Sequence, residues 1–219
     1  MAVINGTNGA DVRNGTPNAD TISGFGGADT LSGLGDRDAI IGGAGNDSLV
    51  GGADNDRLFG GNDNDVLSGG ADNDFLVGGL GADRLAGGLD DDTLNGGAGG
   101  DTLEGGSGDD RLIGDAGADR FVFRGNQFDI DRIGDFNRAA GDKITLVGVV
   151  MDDGGINGSG GLIRSFSDLD SNGDGVLNGG DAHVSVVGGN LQIVIDGNDA
   201  ALIVEGVQSL VASDFIIIA

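Results

Sequence analysis

Large apolar residues recur every nine positions through the first half of the chain, a period that fits neither a single helix nor one long strand. From Ile22 to Phe121 the eighth position of each nine-residue copy is apolar, and its neighbours are mixed. Three successive residues whose side chains point outward, inward and outward are typical of a short strand. The other six residues are rich in glycine, which accepts the positive φ of a tight turn. We therefore predict one short strand and one six-residue turn per copy, so that two copies form a coil of eighteen residues.

An aspartate occupies the sixth position of every copy. Two copies per coil divide these aspartates into two stacks, which we name ladder A and ladder B. Ladder A contains Asp11, Asp29, Asp47, Asp65, Asp83, Asp101 and Asp119, and ladder B contains Asp20, Asp38, Asp56, Asp74, Asp92 and Asp110. Coils about 4.8 Å apart would hold these carboxylates close enough to repel one another. A hard divalent cation between coils would reverse that repulsion, and Ca²⁺ prefers carboxylate and carbonyl oxygens.

Composition supports a cation as the partner. The 219 residues include 36 acidic and 11 basic side chains, for a net charge of −25, so binding to nucleic acid is not expected. The 48 glycines occur with a single proline, which argues against collagen and proline-rich disorder. No cysteine is present, so metal ions are the expected cross-links. No apolar run approaches the roughly 20 residues of a membrane span, and we see no Sec-type signal peptide.

The copy Gly42–Val50 reads G-G-x-G-x-D-x-U-x, where U is a large apolar residue, and this pattern resembles the RTX (repeats-in-toxin) nonapeptide. The resemblance implies an all-β fold, a right-handed parallel β-roll over residues 1–123, with Ca²⁺ bound between turns eighteen residues apart. Counting the gaps between turns gives up to about eleven sites, whose charge would nearly match the net charge of the chain. The implied ligands are Asp20, Asp29, Asp38, Asp47, Asp56, Asp65, Asp74, Asp83, Asp92, Asp101, Asp110 and Asp119.

Several copies depart from the pattern. The second glycine is replaced in the first four copies by Thr7, Thr16, Phe25 and Leu34, and Arg13 stands in the apolar column. We expect the N-terminal coil to bind Ca²⁺ poorly and to fray. Aspartate replaces the fourth-position glycine at Asp36, Asp54, Asp63, Asp72 and Asp90. This substitution is either drift at a site that tolerates left-handed backbone or an added carboxylate that tightens nearby Ca²⁺.

One outward face of the predicted roll carries an apolar patch, formed by Ile41, Phe59, Phe75 and Val77. Scattered apolar residues are normal on a protein surface. A cluster on a flat sheet is instead typical of a contact face. The second interpretation predicts that the patch pairs with another copy of the chain or with the C-terminal segment.

The nine-residue period ends after Asp119. We assign residues 124–160 to capping strands, because Asp131–Phe136 (D-x-I-x-D-F) and Gly141–Leu146 (G-D-x-I-x-L) resemble strands that cap secreted RTX rolls. An open final coil would otherwise expose its core and strand edge. Residues 161–219 are assigned to a β-rich segment with a second calcium motif and a C-terminal secretion signal. The last residues, from Asp214 onward, resemble type I secretion signals, and this interpretation is compatible with their also forming a final core strand.

The second calcium motif spans residues 170–181 and fits the EF-hand loop. That loop places oxygen ligands at positions 1, 3, 5, 7, 9 and 12, with glycine at position 6. Gly175 takes the glycine position, and aspartate at position 12 resembles dockerin-type loops. We expect one Ca²⁺ here, bound by Asp170, Asn172, Asp174, the Val176 carbonyl, Asn178 and Asp181.

We find no catalytic motif in the sequence: its single histidine is His183, and no H-E-x-x-H, G-x-S-x-G or Walker motif is present. The chain is therefore interpreted as a non-enzymatic bacterial Ca²⁺-binding protein, secreted or at the cell surface, that folds after export by the type I secretion machinery. Two alternatives stay open. One is a carbohydrate- or surface-binding module, and the other is a Ca²⁺-dependent surface-layer or matrix assembly protein.

Overall fold

The computed structural model describes residues 1–125, 129–148, 150–151, 161–162, 176–177, 184–194 and 201–218. Regular structure in these ranges consists of β-strands and one 3₁₀ turn, Ala212–Asp214. These ranges contain no helix that is long and apolar enough to cross a membrane. The strands are β1 (Val3–Asn5), β2 (Val12–Asn14), β3 (Thr21–Gly26), β4 (Thr30–Leu34), β5 (Ala39–Ala44), β6 (Ser48–Gly52), β7 (Arg57–Asn62), β8 (Val66–Gly70), β9 (Phe75–Leu80), β10 (Arg84–Leu89), β11 (Thr93–Ala98), β12 (Thr102–Ser107), β13 (Arg111–Ala116), β14 (Arg120–Arg124), β15 (Ile130–Ile133), β16 (Lys143–Val147), β17 (Val150–Met151), β18 (Gly161–Leu162), β19 (Val176–Leu177), β20 (Val184–Val187), β21 (Asn190–Val194), β22 (Ala201–Val204), β23 (Leu210–Val211) and β24 (Phe215–Ile218).

The repeats form two parallel sheets. Within the repeats, odd-numbered strands build one sheet and even-numbered strands build the other. With the C-terminal strands, the first sheet has the order β1-β3-β5-β7-β9-β11-β13-β15-β22-β21-β20 and the second β2-β4-β6-β8-β10-β12-β14-β16-β24. Partners within the repeats are eighteen residues apart, as in Ile40↔Leu58 and Leu49↔Leu67. The predicted all-β parallel solenoid, with two copies per coil, is confirmed.

The strands of the interior coils are longer than predicted. Only β1 and β2 have the expected three residues, whereas β3 to β13 have five or six and continue into the glycine segment. Gly43 of β5, for example, pairs with Gly61 of β7. Because every coil repeats the shape of the one before it, backbone groups of the turn meet their equivalents in the next coil, and the hydrogen-bonded ladder continues through them.

The core of the roll is a column of single apolar residues on each sheet. One column runs from Ile22 to Leu112 and the other from Leu31 to Phe121, and every side chain in them is at least 98% buried. Burying one such side chain contributes about 1.5–3 kcal/mol. The columns are only one residue wide, so the space between the sheets at each coil's two turns is filled by the aspartates instead.

The C-terminal segment continues both sheets and widens the core. β22 pairs with β15 and β24 pairs with β16, both parallel, while β20, β21 and β22 form an antiparallel meander. Apolar residues contributed by this region to the same core cluster include Phe123, Phe136, Ile144, Leu146, Leu191, Ile193, Leu202, Val204 and Leu210. The final strand therefore forms the end of its sheet, where it covers the edge of β16.

Candidate metal centre

The aspartates of both ladders point into the turns. The twelve from Asp20 to Asp119 are only 1–4% exposed, although each carries an ionisable carboxyl. Each directly precedes the strand whose next inward residue is a core leucine, isoleucine or phenylalanine. Alternation along the chain thus places the carboxylate and the apolar side chain on the same inner face.

One oxygen of each carboxylate joins a coil to the coil before it. The backbone N–H of Asp29 donates to Oδ1 of Asp47 at 2.8 Å, and the N–H of Asp56 donates to Oδ1 of Asp74 at 2.7 Å. The same bond links aspartates eighteen residues apart along the whole of both ladders. These charge-assisted bonds set the spacing of the coils and leave the second oxygen of each carboxylate to be satisfied in another way.

That second oxygen accepts no protein hydrogen bond in eleven turns. Within the described residues, the buried Oδ2 atoms without a partner belong to Asp29, Asp38, Asp47, Asp56, Asp65, Asp74, Asp83, Asp92, Asp101, Asp110 and Asp119. Leaving a buried polar group unpaired costs about 1–3 kcal/mol, and more when the group is charged. Eleven in regular array indicate a binding partner outside the protein chain.

Backbone carbonyl oxygens lie beside these carboxylates. A Cβ placed on Gly6 would lie 2.9 Å from Oδ2 of Asp11 and 2.7 Å from the carbonyl oxygen of Gly24 in the next coil. A Cβ on Gly60 would meet Oδ2 of Asp65 and the carbonyl oxygen of Gly78 in the same way. Glycine at the first position thus keeps open a space between coils that is bounded by carboxylate and carbonyl oxygens. This donor set fits a hard cation such as Ca²⁺.

Side chains alone do not form such a site. Across the described ranges, no three His, Cys, Asp or Glu side chains are grouped closely enough to hold a metal ion. A cation in the ladders would therefore depend on the backbone carbonyls of two successive coils as well as on the aspartates. The affinity of each site then depends on coil stacking, which couples binding to folding.

Ten ladder carboxyls have raised pKa values in the metal-free protein. Burial raises the pKa of Asp56, Asp65 and Asp110 to about 7, and the charges of neighbouring aspartates add to the effect. The pKa of Asp92 rises for the same reasons to about 8. At neutral pH the ladders resist full ionisation unless positive charge is supplied between the coils.

The first two turns differ from the rest. Oδ2 of Asp11 accepts hydrogen bonds from Thr7, and Oδ2 of Asp20 accepts them from Thr16. The Thr7 hydrogen bond is the main cause that lowers the pKa of Asp11, whereas the hydrogen bond from the Ala2 N–H is the main cause for Asp20. Asp20 was predicted from the period as a metal ligand, and its chemical environment is unlike that of the other eleven.

Two further aspartates extend the ladders beyond the period. The N–H of Asp110 donates to Oδ1 of Asp131, and the N–H of Asp119 donates to Oδ1 of Asp142, both at 3.1 Å. Both aspartates are buried, at 1% and 2% exposure. Sequence spacing missed them because they follow their predecessors by 21 and 23 residues. The signal that could have found them is local, since Asp131 lies in the short alternating strand β15 and Asp142 directly precedes β16.

The EF-hand-like loop falls mostly outside the described residues. Of its six predicted ligands only Val176 is included, in strand β19, which pairs antiparallel with β23. Asp170, Asn172, Asp174, Asn178 and Asp181 lie outside the described ranges. The calcium site at this loop stays a prediction.

The predicted apolar patch lies on the sheet of odd-numbered strands. Ile41, Phe59 and Val77 are in register on β5, β7 and β9, and Phe75 is the register partner of Arg57. The rings of Phe59 and Phe75 are 6.1 Å apart, and the Arg57 guanidinium lies 5.9 and 5.4 Å from their centroids. Ile41 is 42% exposed. The patch is contiguous on the sheet, as predicted, and the positively charged Arg57 side chain covers part of it.

The repeats match a family model, the RTX calcium-binding nonapeptide repeat (4 copies), at residues 5–40, 32–67, 59–94, 68–103 and 95–125, which together span more than half of the chain. Among solved structures, the extracellular lipase LipA from Serratia marcescens is similar at 19% identity and a TM-score of 0.36, over 96% of this chain and 39% of that chain. The chain thus spans about two fifths of the lipase's length. No curated protein matches. By the extent of its repeats, the chain belongs to the RTX calcium-binding nonapeptide repeat family.

Proposed function

We propose that this chain is a secreted bacterial Ca²⁺-binding protein that folds when the cation enters the two ladders, and that it has no catalytic activity. The observation that carries the proposal is the set of eleven buried Oδ2 atoms without a protein partner. When bound, Ca²⁺ would supply positive charge and accept these oxygens as ligands. A chain with a net charge of −25 then loses most of its internal repulsion.

The proposed ligands in the roll are the ladder aspartates from Asp20 to Asp119, together with the carbonyls of successive coils. One more Ca²⁺ is proposed for the loop at residues 170–181. We further propose three functional segments, with the roll at residues 1–123, the cap at 124–160 and the loop with the C-terminal strands at 161–219. Up to about eleven ions in the roll would follow from the number of gaps.

The dependence of folding on Ca²⁺ would also explain how the chain is exported. Where Ca²⁺ is scarce, the acidic roll stays unfolded, which suits passage through a type I secretion channel. Outside the cell, sites with dissociation constants of about 10⁻⁴–10⁻³ M suffice to fold it. The segment from Asp214 onward is proposed to act as the secretion signal in the unfolded chain. After folding, it forms strand β24 against β16.

The absence of catalysis is proposed because cation binding accounts for the repeated carboxylates. Acid–base catalysis needs a few groups with separate roles, whereas the eleven carboxylates share one environment. Repeating coils also suit a structural domain, in which each unit contacts mainly its neighbours.

A calcium titration followed by far-UV circular dichroism tests the proposal. Metal-free protein at pH 7.5 should show little strand signal, and the signal should develop cooperatively as Ca²⁺ is added. Mg²⁺ should be less effective, because it demands octahedral geometry and dehydrates reluctantly. Full strand signal in the metal-free protein would contradict the proposal.

Two matched variants separate ligand loss from simple loss of charge. Asp65→Asn removes a charge from ladder A but keeps the Oδ1 hydrogen bond, and should raise the Ca²⁺ concentration at the folding midpoint severalfold. Asp91→Asn makes the same charge change on an exposed side chain outside the ladders and the fourth-position set, and should leave the midpoint nearly unchanged. Equal effects of the two variants would argue for a diffuse acidic surface instead of a defined site.

A second proposal concerns self-association through the apolar patch. The observation in its favour is the continuous row Ile41, Phe59 and Val77 on neighbouring strands, with Phe75 beside it. Phe59→Asp combined with Phe75→Asp should lower the mass of the Ca²⁺-bound protein measured by light scattering. If the wild type and the double variant have the same mass, the patch is not an association surface.

A further inference from the structure

The thirteen turns of the repeat region are of two kinds, distinguished by their backbone. Each of the eleven turns from Gly24 to Asp119 contains a residue with positive φ at its second position and another at its fourth. No residue in the turns Gly6–Asp11 and Gly15–Asp20 has a positive φ. The eleven turns with the left-handed pair are also the eleven whose aspartate has an Oδ2 without a partner. Backbone conformation and the free oxygen therefore occur together.

The residue at the second position correlates with the kind of turn. Phe25 and Leu34 have φ values of 76° and 88°, like the glycines of the later copies, although neither is a glycine. Thr7 and Thr16 keep negative φ. Threonine is β-branched, so a left-handed backbone is costly for it. The four residues that replace the second glycine in the first four copies, which the sequence alone grouped together, thus fall into two classes. Asp115 replaces the same glycine in the last copy, and its φ of 62° places it in the left-handed class.

The threonines satisfy the carboxylate from within the chain. The Thr7 N–H and hydroxyl lie 2.6 and 2.9 Å from Oδ2 of Asp11, and the same groups of Thr16 lie 2.7 and 2.8 Å from Oδ2 of Asp20. The remaining oxygens are also engaged. Oδ1 of Asp20 accepts the Ala2 N–H, and Oδ1 of Asp11 pairs with Arg13 at 2.7 Å. Oδ2, which has no protein partner in the other eleven turns, thus has two protein donors in each of these two carboxylates.

We propose that Thr7 and Thr16 close the first two turns against Ca²⁺, so that cation binding begins at the turns of Asp29 and Asp38. The inference rests on the proposed calcium-binding function and removes Asp20 from the set of ligands. Threonine at the second position supplies two donors and closes a turn. Glycine, phenylalanine or leucine at that position leaves it open. The first coil then forms the end of the roll without a bound metal ion. In this coil Arg13, the register partner of Leu31, takes the position that an apolar residue holds in the later copies.

This assignment changes the expected number of ions. With the first turn of each ladder closed, six open turns remain in ladder A and five in ladder B, and the gaps between them number about nine instead of about eleven. The difference is large enough to measure in a folded, calcium-saturated protein by equilibrium dialysis with elemental analysis.

The test exchanges residues at the second position in both directions. Thr7→Gly with Thr16→Gly should raise the bound Ca²⁺ by up to two ions per chain. Phe25→Thr with Leu34→Thr should lower it by up to two. Phe25→Gly with Leu34→Gly is the matched control, because these turns already have the left-handed backbone, and should leave the number unchanged. Thr16→Ser keeps both donors and should behave as the wild type.

Each result supports or overturns the inference. An unchanged number in both the Thr7→Gly/Thr16→Gly and the Phe25→Thr/Leu34→Thr proteins overturns it while leaving calcium binding itself intact. A gain in the Phe25→Gly/Leu34→Gly control overturns it as well, because glycine would then add sites irrespective of the starting turn. A wild type that binds no Ca²⁺ overturns the proposed function and this inference together.

Discussion

Buried carboxylates have different hydrogen-bond partners in the interior turns of the roll and in the C-terminal region. In the eleven interior turns one oxygen accepts a backbone N–H and the other accepts nothing from the protein. In the C-terminal region both oxygens are engaged. Asp142 accepts the N–H groups of Asp119 and Asn137, and Asp214 accepts two bonds from Arg138 and one from the Val211 N–H. The same residue type keeps one oxygen without a protein partner in one region and is an internal cross-link in the other.

The apolar cores of the two regions also differ in width. A coil of the roll contributes one apolar side chain per sheet, whereas the C-terminal region brings many apolar residues from several strands into one cluster. A wide core can offset the entropy of ordering the chain, but a column one residue wide contributes far less per residue. We therefore expect stability and cation dependence to be distributed unequally along the chain, and the following measurements test this.

The largest effect is expected from removal of Ca²⁺. Amide hydrogen exchange in the metal-free protein should show rapid exchange in β7 and β9, because the roll loses the charge that holds its coils together. The strands β16, β21 and β22 should keep more protection, because their core does not depend on a cation. Equal loss of protection in both regions would remove the distinction between them.

A smaller effect is expected from pH in the metal-free protein. Six roll aspartates, Asp56, Asp65, Asp74, Asp92, Asp101 and Asp110, have folded pKa values of about 6 to 8, above the ordinary value of 3.8, because burial disfavours the charged form. Protonation therefore stabilises the folded roll. This contribution is complete below about pH 4 and is lost as the pH rises through 6 to 8. Strand signal without Ca²⁺ should thus be greater at pH 5 than at pH 8, and a decrease on acidification would contradict this.

The same titration with Ca²⁺ present supplies its own control. Protons and the cation compete for the same oxygens, so the Ca²⁺ concentration at the folding midpoint should rise as the pH falls from 8 to 5. Measurements should stay above the isoelectric point near 4.1, where a protein without net charge associates.

The smallest effect is expected from a single ion pair in the C-terminal region. Arg138→Gln leaves Asp214, which is fully buried, without its guanidinium partner, and should lower the free energy of unfolding of the Ca²⁺-bound protein by about 3 kcal/mol. Arg124→Gln removes an exposed pair with Glu104 and should cost less than about 1 kcal/mol. Urea unfolding measures both. Similar losses in the two variants would show that burial of Asp214 does not matter.

Much of the roll could be predicted because the repeat is local and regular. The two sheets, the eighteen-residue register and the inward leucines follow from a nine-residue period, and the structure contains all three. The lengths of the strands did not follow, because hydrogen bonding through Gly43 and Gly61 depends on how neighbouring coils stack. Asp131 and Asp142 were missed as ladder members because the segments before them interrupt the period.

What the sequence determined by itself is the repeat. Nine-residue spacing dictates that every copy presents one inward apolar residue and one inward carboxylate, whatever the details of the turns. What only the tertiary structure decided is which carboxylates are satisfied by the protein. Asp20 and Asp29 occupy equivalent positions in the period, yet Thr16 donates to Oδ2 of Asp20 and no protein donor reaches Oδ2 of Asp29. Asp214 meets Arg138 across 76 residues of chain. The physical reason is that a hydrogen bond depends on φ and on contacts between coils, and neither is expressed in the spacing of residue types.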